Sequence, residues 1–224
     1  MIKGIFCDFY GTVVHENGPI SLEVIERVYR SGDAASPKEV VQAWYQAFDQ
    51  RVQACCGPHY RTQQELALGS FQQVLERFHA KEVAAALCQR MVEHWCNPPL
   101  YEDAKVFLDQ SSWPVYLVTS SDNLFVEQAV AGHGLKVSGI TTSEDATYAK
   151  PHVELFEYAL RRWGLSPAQV VHIGDSLQGD VRCPQALGIR TIWLNREDRP
   201  VPPDVTAAKD FYQVQAILQQ WSEA

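Results

Sequence analysis

Carboxylate, lysine and threonine side chains follow the apolar runs of this chain in an order that suggests chemistry. Asp8 ends the first run, Thr119 ends the second, Lys150 precedes a long helical segment, and Asp175 ends a later run with Asp180 close behind. Because ligands of a parallel α/β sheet collect beyond the carboxyl ends of its strands, we expect these side chains to meet at one edge. Clustered carboxylates repel one another unless a cation lies among them, and Mg²⁺ prefers oxygen ligands of this kind. Asp8 would then serve as a nucleophile, while Lys150 keeps a neighbouring carboxylate ionised.

Short apolar runs alternate with helical segments throughout the second half of the chain. Strands are predicted over residues 115–118, 138–141, 170–173 and 191–194. Helices are predicted over residues 123–133, 153–163, 184–187 and 210–221. Such alternation is typical of βαβ units, in which a parallel sheet is covered by helices on both faces. The apolar run over residues 2–7 predicts one further strand of the same sheet.

The stretch between residues 21 and 95 has almost no strand character, and its apolar residues fall at helical spacing. Helical segments are predicted to begin at Ser21, Pro37, Thr62 and Ala80. Ser36 is expected to cap the second segment, because serine accepts a hydrogen bond from the first turn and proline favours the first helical position. Trp44, Phe48 and Trp95 are expected to lie in a core that these helices share, since they stand among aliphatic residues at helical spacing.

Two domains follow from this arrangement, because the first strand belongs with the later strands while a helical block separates them. The predicted fold class is α/β, with a Rossmann-like parallel sheet core and an inserted all-helical cap domain. The core is expected over residues 1–14 and 99–224, and the cap over residues 15–98. A chain of 224 residues is long enough to bury a hydrophobic core in such an arrangement.

The bulk composition restricts the partners and the compartment that we expect. The formal net charge of −8 argues against nucleic acid or an anionic membrane as the main partner. No apolar run approaches the roughly 18 residues of a membrane span, and none of the six cysteines forms a CxxC pair. We therefore expect a cytoplasmic protein with reduced thiols and a small-molecule substrate. The sequence gives no indication of its oligomeric state.

The order of the motifs resembles that of the haloacid dehalogenase (HAD) superfamily, with a helical cap inserted just after the first motif. Asp8-Phe9-Tyr10-Gly11-Thr12 is similar to the first motif of that family, and Thr119-Ser120 to the second. Lys150-Pro151 is similar to the third motif, and the segment from Gly174 to Asp180 to the fourth. The resemblance implies a hydrolase with an aspartate nucleophile and a Mg²⁺ cofactor, and favours a phosphatase that acts on a small phosphorylated metabolite.

The resemblance also implies a role for each matching residue. Four residues are expected to act in catalysis. Asp8 is the expected nucleophile, Thr119 and Lys150 are expected to bind the transferred group, and Tyr10 stands two positions after the nucleophile. The expected metal-binding set is Asp8, the main-chain carbonyl of Tyr10, Asp175 and Asp180, the last as support for the metal or its waters. The residues expected to bind substrate beside the nucleophile are Gly11, Thr12 and Ser120.

Tyr10 departs from the pattern of most phosphatases in this superfamily, which carry a second aspartate two positions after the nucleophile. That aspartate protonates the leaving alcohol and then activates water. A positioned acid or base contributes typically about 10²–10⁴-fold to the rate, and a phenol with an ordinary pKa of about 10 is a poor base near neutrality. The metal would be unaffected, since it uses the main-chain carbonyl at this position.

Dehalogenation is the main alternative, because the L-2-haloacid dehalogenase branch carries tyrosine at this position and a departing halide needs no proton. Two features oppose it. Those dehalogenases need no metal and lack the loop that is intact here from Gly174 to Asp180. They also carry an arginine after a tryptophan in the cap, where this chain has Tyr45 after Trp44. A further alternative is a phosphate-binding or regulatory module with little turnover.

The segment from Cys56 to Arg61 is the most polar and aromatic break in the helical block. We expect it to face the core, with His59 or Arg61 at the remote end of the substrate, although a solvated turn between helices would have the same composition. His15 and Glu16 follow the first motif directly. Their position is compatible with a place near the site or with a simple hinge.

Overall fold

Six parallel strands form one sheet in the computed structural model, which describes residues 1–223. The strands are β1 Gly4–Cys7, β2 Val115–Thr119, β3 Gly139–Thr142, β4 Val170–Gly174, β5 Arg190–Leu194 and β6 Ala207–Ala208. Their order is β3-β2-β1-β4-β5-β6, and every neighbouring pair is parallel. The central strand β1 therefore lies between β2 and β4, where the order of the strands reverses. Such a switch point leaves a crevice beyond the carboxyl ends of these strands, which is where α/β sheets bind ligands.

The two central strands β1 and β4 are buried along their whole length. Strands that are covered by helices on both faces carry mostly apolar side chains, which is why the sequence shows them as nearly continuous apolar runs, with the buried His172 as the polar exception in β4. The five predicted strands lie within two residues of β1 to β5. The short edge strand β6 was not predicted, because a two-residue strand carries no readable apolar pattern.

Helices flank the sheet on both faces and also form a separate block. They are α1 Pro19–Ser31, α2 Pro37–Gln53, α3 Gln63–Arg77, α4 Ala84–Cys96, α5 Glu102–Gln110, α6 Asn123–His133, α7 Ser143–Ala146, α8 Glu154–Trp163, α9 Cys183–Gln185 and α10 Phe211–Glu223. The predicted starts hold to within one residue for α2 and α3, whereas α1 begins two residues earlier and α4 four residues later than expected. Helix α5 was not predicted, although its buried residues Ala104, Phe107 and Leu108 follow helical spacing.

The first four helices pack around a hydrophobic cluster of their own, which identifies the all-helical cap. Its buried members include Val28 of α1, Val40 of α2, Phe71 of α3 and Leu87 of α4. Trp95 is buried in this cluster, and Trp44 and Phe48 pack against it, so these aromatic residues belong to the cap core as predicted. The expected cap of α2 is also confirmed, since the Ser36 hydroxyl accepts a hydrogen bond from the Glu39 amide.

The cap is joined to the sheet by two adjacent chain crossings and by one shared phenylalanine. Val14 and Leu100 form an antiparallel bridge, and the His15 amide donates to the Pro99 carbonyl at 2.8 Å. Phe125 of α6 is buried in the same cluster as the cap helices. The chain therefore leaves and re-enters the sheet domain at one place. The exact boundaries of the cap, residues 15–98, stay a prediction.

Two further expectations concern membranes and thiols. Within residues 1–223 no helix is both long enough and apolar enough to cross a membrane. All six cysteines are free thiols, as the sequence suggested. The cytoplasmic location stays a prediction.

Candidate active site

Three carboxylates meet beyond the carboxyl ends of β1 and β4. These strands are neighbours with Cys7 opposite Ile173, so the residues that follow them, Asp8 and Asp175, emerge side by side. The Asp8 amide donates to the Ile173 carbonyl at 2.9 Å and continues the ladder by one step. Asp180 lies one turn beyond Asp175, and one oxygen from each of the three carboxylates lies within 4.8 Å of the others. The expected meeting of these residues at one edge of the sheet is confirmed.

Lys150 bridges two of the three carboxylates. Its ammonium donates to Asp8 Oδ1 at 2.6 Å and to Asp180 Oδ1 at 2.5 Å, and its side chain is only 8% exposed. Burial lowers the pKa of Lys150, but the negative charges of Asp180 and Asp8 raise it by more, so the amine stays protonated. A buried ammonium at this distance can hold a carboxylate and a further anionic oxygen at the same time.

Asp180 is surrounded by hydrogen-bond donors. Its Oδ1 accepts from Lys150 and from Nε2 of His172 at 2.9 Å, while its Oδ2 accepts from the Ser176 amide at 2.9 Å. Burial raises the pKa of Asp180, but Lys150 and His172 lower it well below the ordinary value. Gly174 permits this approach, because a Cβ there would lie 2.3 Å from the Asp180 Cγ. These contacts favour a role for Asp180 in orienting Lys150, and direct metal binding by Asp180 stays a prediction.

Asp175 is fixed from behind by the first motif. The Thr12 hydroxyl donates to Asp175 Oδ1 at 3.1 Å, and Trp193 Nε1 donates to the Asp175 main-chain carbonyl at 2.8 Å. Gly11 has a φ of +86°, and a Cβ there would lie 2.7 Å from Asp175 Oδ2, so only glycine fits. Gly11 and Thr12 were expected to bind substrate. The structure places them behind Asp175 instead, since Thr12 is fully buried and neither residue lines the cavity.

The carboxylate cluster carries more negative charge than Lys150 alone offsets. Burial, with the charge of Asp180, raises the pKa of Asp8 to about 6 although Lys150 opposes the rise. Burial and the charges of Asp8 and Asp180 raise the pKa of Asp175 to about 7. A divalent cation among these oxygens would remove the repulsion, and a buried set of carboxylate oxygens suits a hard cation such as Mg²⁺. The residues present therefore fit a metal ion held by Asp8 and Asp175.

Tyr10 connects the first motif to the cap. Its ring packs against the hydrophobic clusters of both domains, and its hydroxyl donates to the main-chain carbonyl of Trp95 at 2.7 Å. Burial raises the pKa of the Tyr10 phenol well above its ordinary value. Trp95 lies in the last turn of α4, where main-chain carbonyls lack partners within the helix. The contacts therefore favour a structural role for the hydroxyl, and a catalytic role for Tyr10 stays a prediction.

A cavity of about 640 Å³ lies between the carboxylate cluster and the cap. Its sheet-domain wall contains Asp8, Tyr10, Thr119, Ser120, Lys150, Asp175 and Asp180. Its cap wall contains Phe48, Asp49, Gln53, Tyr60 and Arg61. Thr119 is the buried last residue of β2, and its contact with a transferred group stays a prediction. The Ser120 hydroxyl accepts from the Lys150 amide at 2.9 Å and so also fixes the lysine loop.

The cap segment from Cys56 to Arg61 faces the sheet domain, as the sequence suggested. The Gly57 amide donates to the Thr147 carbonyl at 2.8 Å, and the Tyr60 hydroxyl lies 3.3 Å from the Ser143 hydroxyl. Tyr60 and Arg61 line the cavity, whereas His59 does not. The expectation for Arg61 is thus met in position, the expectation for His59 is not, and Tyr60 was missed.

Asp122 binds the amino end of cap helix α3, a contact that the sequence did not predict. Its carboxylate accepts from the Gln63 amide at 2.6 Å and from the Gln64 amide at 3.0 Å. The first amides of a helix have no partner within the helix, and they favour negative charge. The sequence does show an aspartate in the polar run after β2, but it does not show which helix that aspartate contacts. Asp122 therefore ties the cap to the edge of the sheet that carries the site.

Glu16 lies at the hinge between the domains and also lines the cavity. The sequence allowed either a place near the site or a hinge, and for Glu16 both apply. Nε2 of the buried His94 lies 2.9 Å from the main-chain carbonyl of Glu16, which ties the linker to α4. The Glu16 side chain is solvent-accessible and lines the cavity together with Asp8 and Asp175.

The family model for haloacid dehalogenase-like hydrolases matches residues 2–188. The chain is 28% identical over 214 residues to haloacid dehalogenase-like hydrolase domain-containing protein 3 of Danio rerio, covering 88% of this chain and 86% of that protein. It is 28% identical over 173 residues to a phosphoserine phosphatase of Thermus thermophilus, covering 75% of this chain and 63% of that protein.

The fold also has solved counterparts. The structure of L-2-haloacid dehalogenase from Xanthobacter autotrophicus superposes with a TM-score of 0.77 at 14% sequence identity, covering 98% of this chain and 99% of that one. At this identity the likeness concerns the fold alone. The α/β fold with a parallel sheet and a helical cap is thereby confirmed.

Proposed function

Because the chain belongs to the haloacid dehalogenase-like hydrolases, we propose that it is a Mg²⁺-dependent phosphatase that acts on a small phosphorylated metabolite. One observation carries the proposal: the buried cluster of Asp8, Asp175 and Asp180, which has more negative charge than Lys150 offsets. A dianionic phosphate would enter such a site only with added positive charge. Asp8 and Asp175 are the side chains that would hold Mg²⁺, with the Tyr10 carbonyl as a further ligand.

When bound there, Mg²⁺ would supply charge neutralisation between the nucleophile and the incoming phosphate. The chain's own residues do the rest. Asp8 attacks phosphorus and forms an aspartyl phosphate, and the Lys150 ammonium, 2.6 Å from Asp8 Oδ1, meets an oxygen of the transferred group. The Thr119 hydroxyl and the main-chain amides after Asp8 hold the remaining phosphate oxygens.

The cap, which we assign to residues 15–98, selects the substrate and excludes water from the cavity. Its cavity wall combines polar side chains, Asp49, Gln53, Tyr60 and Arg61, with the apolar side chains Phe48, Val52 and Leu66. Such a wall suits a substrate that carries both polar groups and an apolar part. A cavity of about 640 Å³ has the size of a small-molecule site.

Dehalogenation is the second candidate, and Tyr10 is the observation that favours it. Two contacts weaken that argument. The Tyr10 hydroxyl donates to the Trp95 carbonyl, which gives the tyrosine a structural reason to be there. Tyr45 carries no charge and lies beside Glu16, so the carboxylate of a 2-haloacid would find no cation at the place where the dehalogenases carry arginine.

A substrate screen separates the two candidates. The protein is assayed against phosphorylated metabolites and against L-2-haloacids, each with Mg²⁺ and with EDTA, while phosphate and halide are measured. We expect phosphate release that requires Mg²⁺ and that is lost in Asp8→Asn. Halide release that persists in EDTA, without phosphate release in any arm, would overturn the phosphatase proposal.

A further inference from the structure

The site lacks a proton donor in its first motif, but it contains a carboxyl group on the linker to the cap. Glu16 follows the first motif by a few residues and lines the cavity with the nucleophile Asp8. We propose that Glu16 is the general acid–base of this site, a role that rests on the phosphatase function proposed above. It would protonate the leaving oxygen and then activate water, which is the work that Tyr10 does not perform.

The position of Glu16 is fixed by both domains. Its main-chain carbonyl lies 2.9 Å from Nε2 of His94, which is buried in cap helix α4. The residue before it, His15, donates its amide to the Pro99 carbonyl at the second chain crossing. Glu16 is therefore held where the cap meets the sheet, and its side chain lines the cavity that also contains Asp8.

The environment of the Glu16 carboxyl suits a proton donor. Glu16 is exposed to solvent on one side, but partial desolvation of its carboxyl group by the surrounding atoms, together with the negative charge of Asp8, raises its pKa above the ordinary value, while the Tyr45 hydroxyl opposes part of the rise. Glu16 in turn contributes to the raised pKa of Asp175, so its charge acts on the carboxylate cluster. A carboxyl group with a raised pKa is protonated more often near neutrality and still becomes a base after it has donated.

The other carboxyl groups that line the cavity are less suited to this role. Asp8 is the nucleophile, Asp175 is held by the first motif, and Asp180 is surrounded by donors. Asp49 is the remaining one, and burial alone raises its pKa, without a contribution from Asp8. Glu16 thus lines the cavity with Asp8, its pKa is raised in part by the charge of Asp8, and no basic side chain is among the causes of that shift.

The proposed reaction is balanced in two steps. In the first, an oxygen of Asp8 bonds to phosphorus, the bond from phosphorus to the leaving oxygen breaks, and the leaving oxygen takes the proton of the Glu16 carboxyl. In the second, the Glu16 carboxylate takes a proton from water, the water oxygen bonds to phosphorus, and the bond from phosphorus to Asp8 breaks. Phosphate and the alcohol leave, and both carboxyl groups return to their initial states.

Glu16→Gln tests the proposal with two leaving groups that differ in their need for a proton. The first substrate is the alkyl phosphate that the unmodified protein hydrolyses fastest, and the second is para-nitrophenyl phosphate. For the alkyl phosphate we expect kcat to fall about 100-fold or more. For para-nitrophenyl phosphate we expect a rapid burst of about one nitrophenolate per active site, followed by slow turnover, because only water activation then lacks its base. Glu16→Asp should recover part of the lost alkyl phosphate turnover.

Asp49→Asn is the matched control, because it removes one negative charge from the same cavity. It should change the turnover of both substrates by a similar factor and produce no burst. If Glu16→Gln also changes both turnover rates by a similar factor without a burst, Glu16 affects only the charge of the cavity. The inference is then wrong, while the phosphatase proposal stands. If the unmodified protein releases phosphate from neither substrate nor from any other phosphate ester, the proposed function fails and the inference fails with it.

Discussion

The hydroxyl of Tyr10 donates to the main-chain carbonyl of Trp95 at 2.7 Å, so Tyr10 ties the loop after β1 to the cap. The two residues are 85 positions apart in the chain. The bond satisfies a carbonyl in the last turn of α4 and engages the phenol proton within the protein. In the mechanism that we propose, proton transfer belongs to Glu16 and attachment of the cap to Tyr10.

Tyr10→Phe is expected to affect stability more than catalysis. The ring keeps its packing, but the Trp95 carbonyl loses its partner in a buried place, which costs about 1–3 kcal/mol of the free energy of unfolding. Urea unfolding measures that cost, and kcat for an alkyl phosphate should stay within about threefold. A loss of about 100-fold in kcat with unchanged stability would instead identify Tyr10 as the acid.

Lys150→Met is expected to destabilise the metal-free protein and to abolish turnover. It leaves Asp180 and Asp8 as buried charges without their shared ammonium, and breaking a buried ion pair costs about 3–5 kcal/mol. The double variant Lys150→Met with Asp180→Asn removes one of the stranded charges and should recover part of this loss in EDTA. If the double variant is as unstable as the sum of the two single changes, the two side chains are not coupled.

The sequence alone predicted most of the sheet and the position of the site, because both depend on local patterns. The apolar runs that became β1 and β4 are readable, and the residues that follow them must emerge at one edge. The contacts between cap and sheet were not readable, because they join distant parts of the chain. Tyr10 with Trp95 and Asp122 with Gln63 are separated by 85 and 59 positions, and no periodicity reports which helix end faces a given aspartate.

The Mg²⁺-dependent gain in thermal stability is expected to be larger at about pH 8 than at about pH 5. The folded-state pKa values of Asp8 and Asp175 are raised to about 6 and about 7, so the folded protein binds these protons more tightly than the unfolded chain. Their contribution is therefore most favourable at low pH and is lost as the pH rises through those values. Mg²⁺ would relieve the repulsion between the carboxylates that are ionised at high pH. The shift in Tm caused by Mg²⁺, measured by thermal denaturation at each pH, gives the gain.

Asp175→Asn is the control for this pH dependence, since it removes one proposed metal ligand and one of the two carboxyl groups with a raised pKa. In this variant the gain from Mg²⁺ should shrink at both pH values. A gain that is equal at both pH values in the unmodified protein would contradict the assignment of Mg²⁺ to the cluster. Asp180 does not contribute to this pH dependence, because its carboxylate stays ionised in the folded and the unfolded protein throughout this pH range.

Asp122→Ala is expected to loosen the cap from the sheet domain. The carboxylate accepts from the amides of Gln63 and Gln64 at the start of α3, and loss of such a helix-end acceptor costs about 0.5–2 kcal/mol. Hydrogen exchange should accelerate at these two amides, and KM should rise more than kcat falls, since the cap no longer closes the cavity in one position. Ser121→Ala is the control, because its hydroxyl donates only to the Gln63 side chain at 2.7 Å and its loss frees no helix amide. If exchange at Gln63 and Gln64 is the same in Asp122→Ala as in the unmodified protein, the amides have another acceptor and Asp122 does not hold the cap.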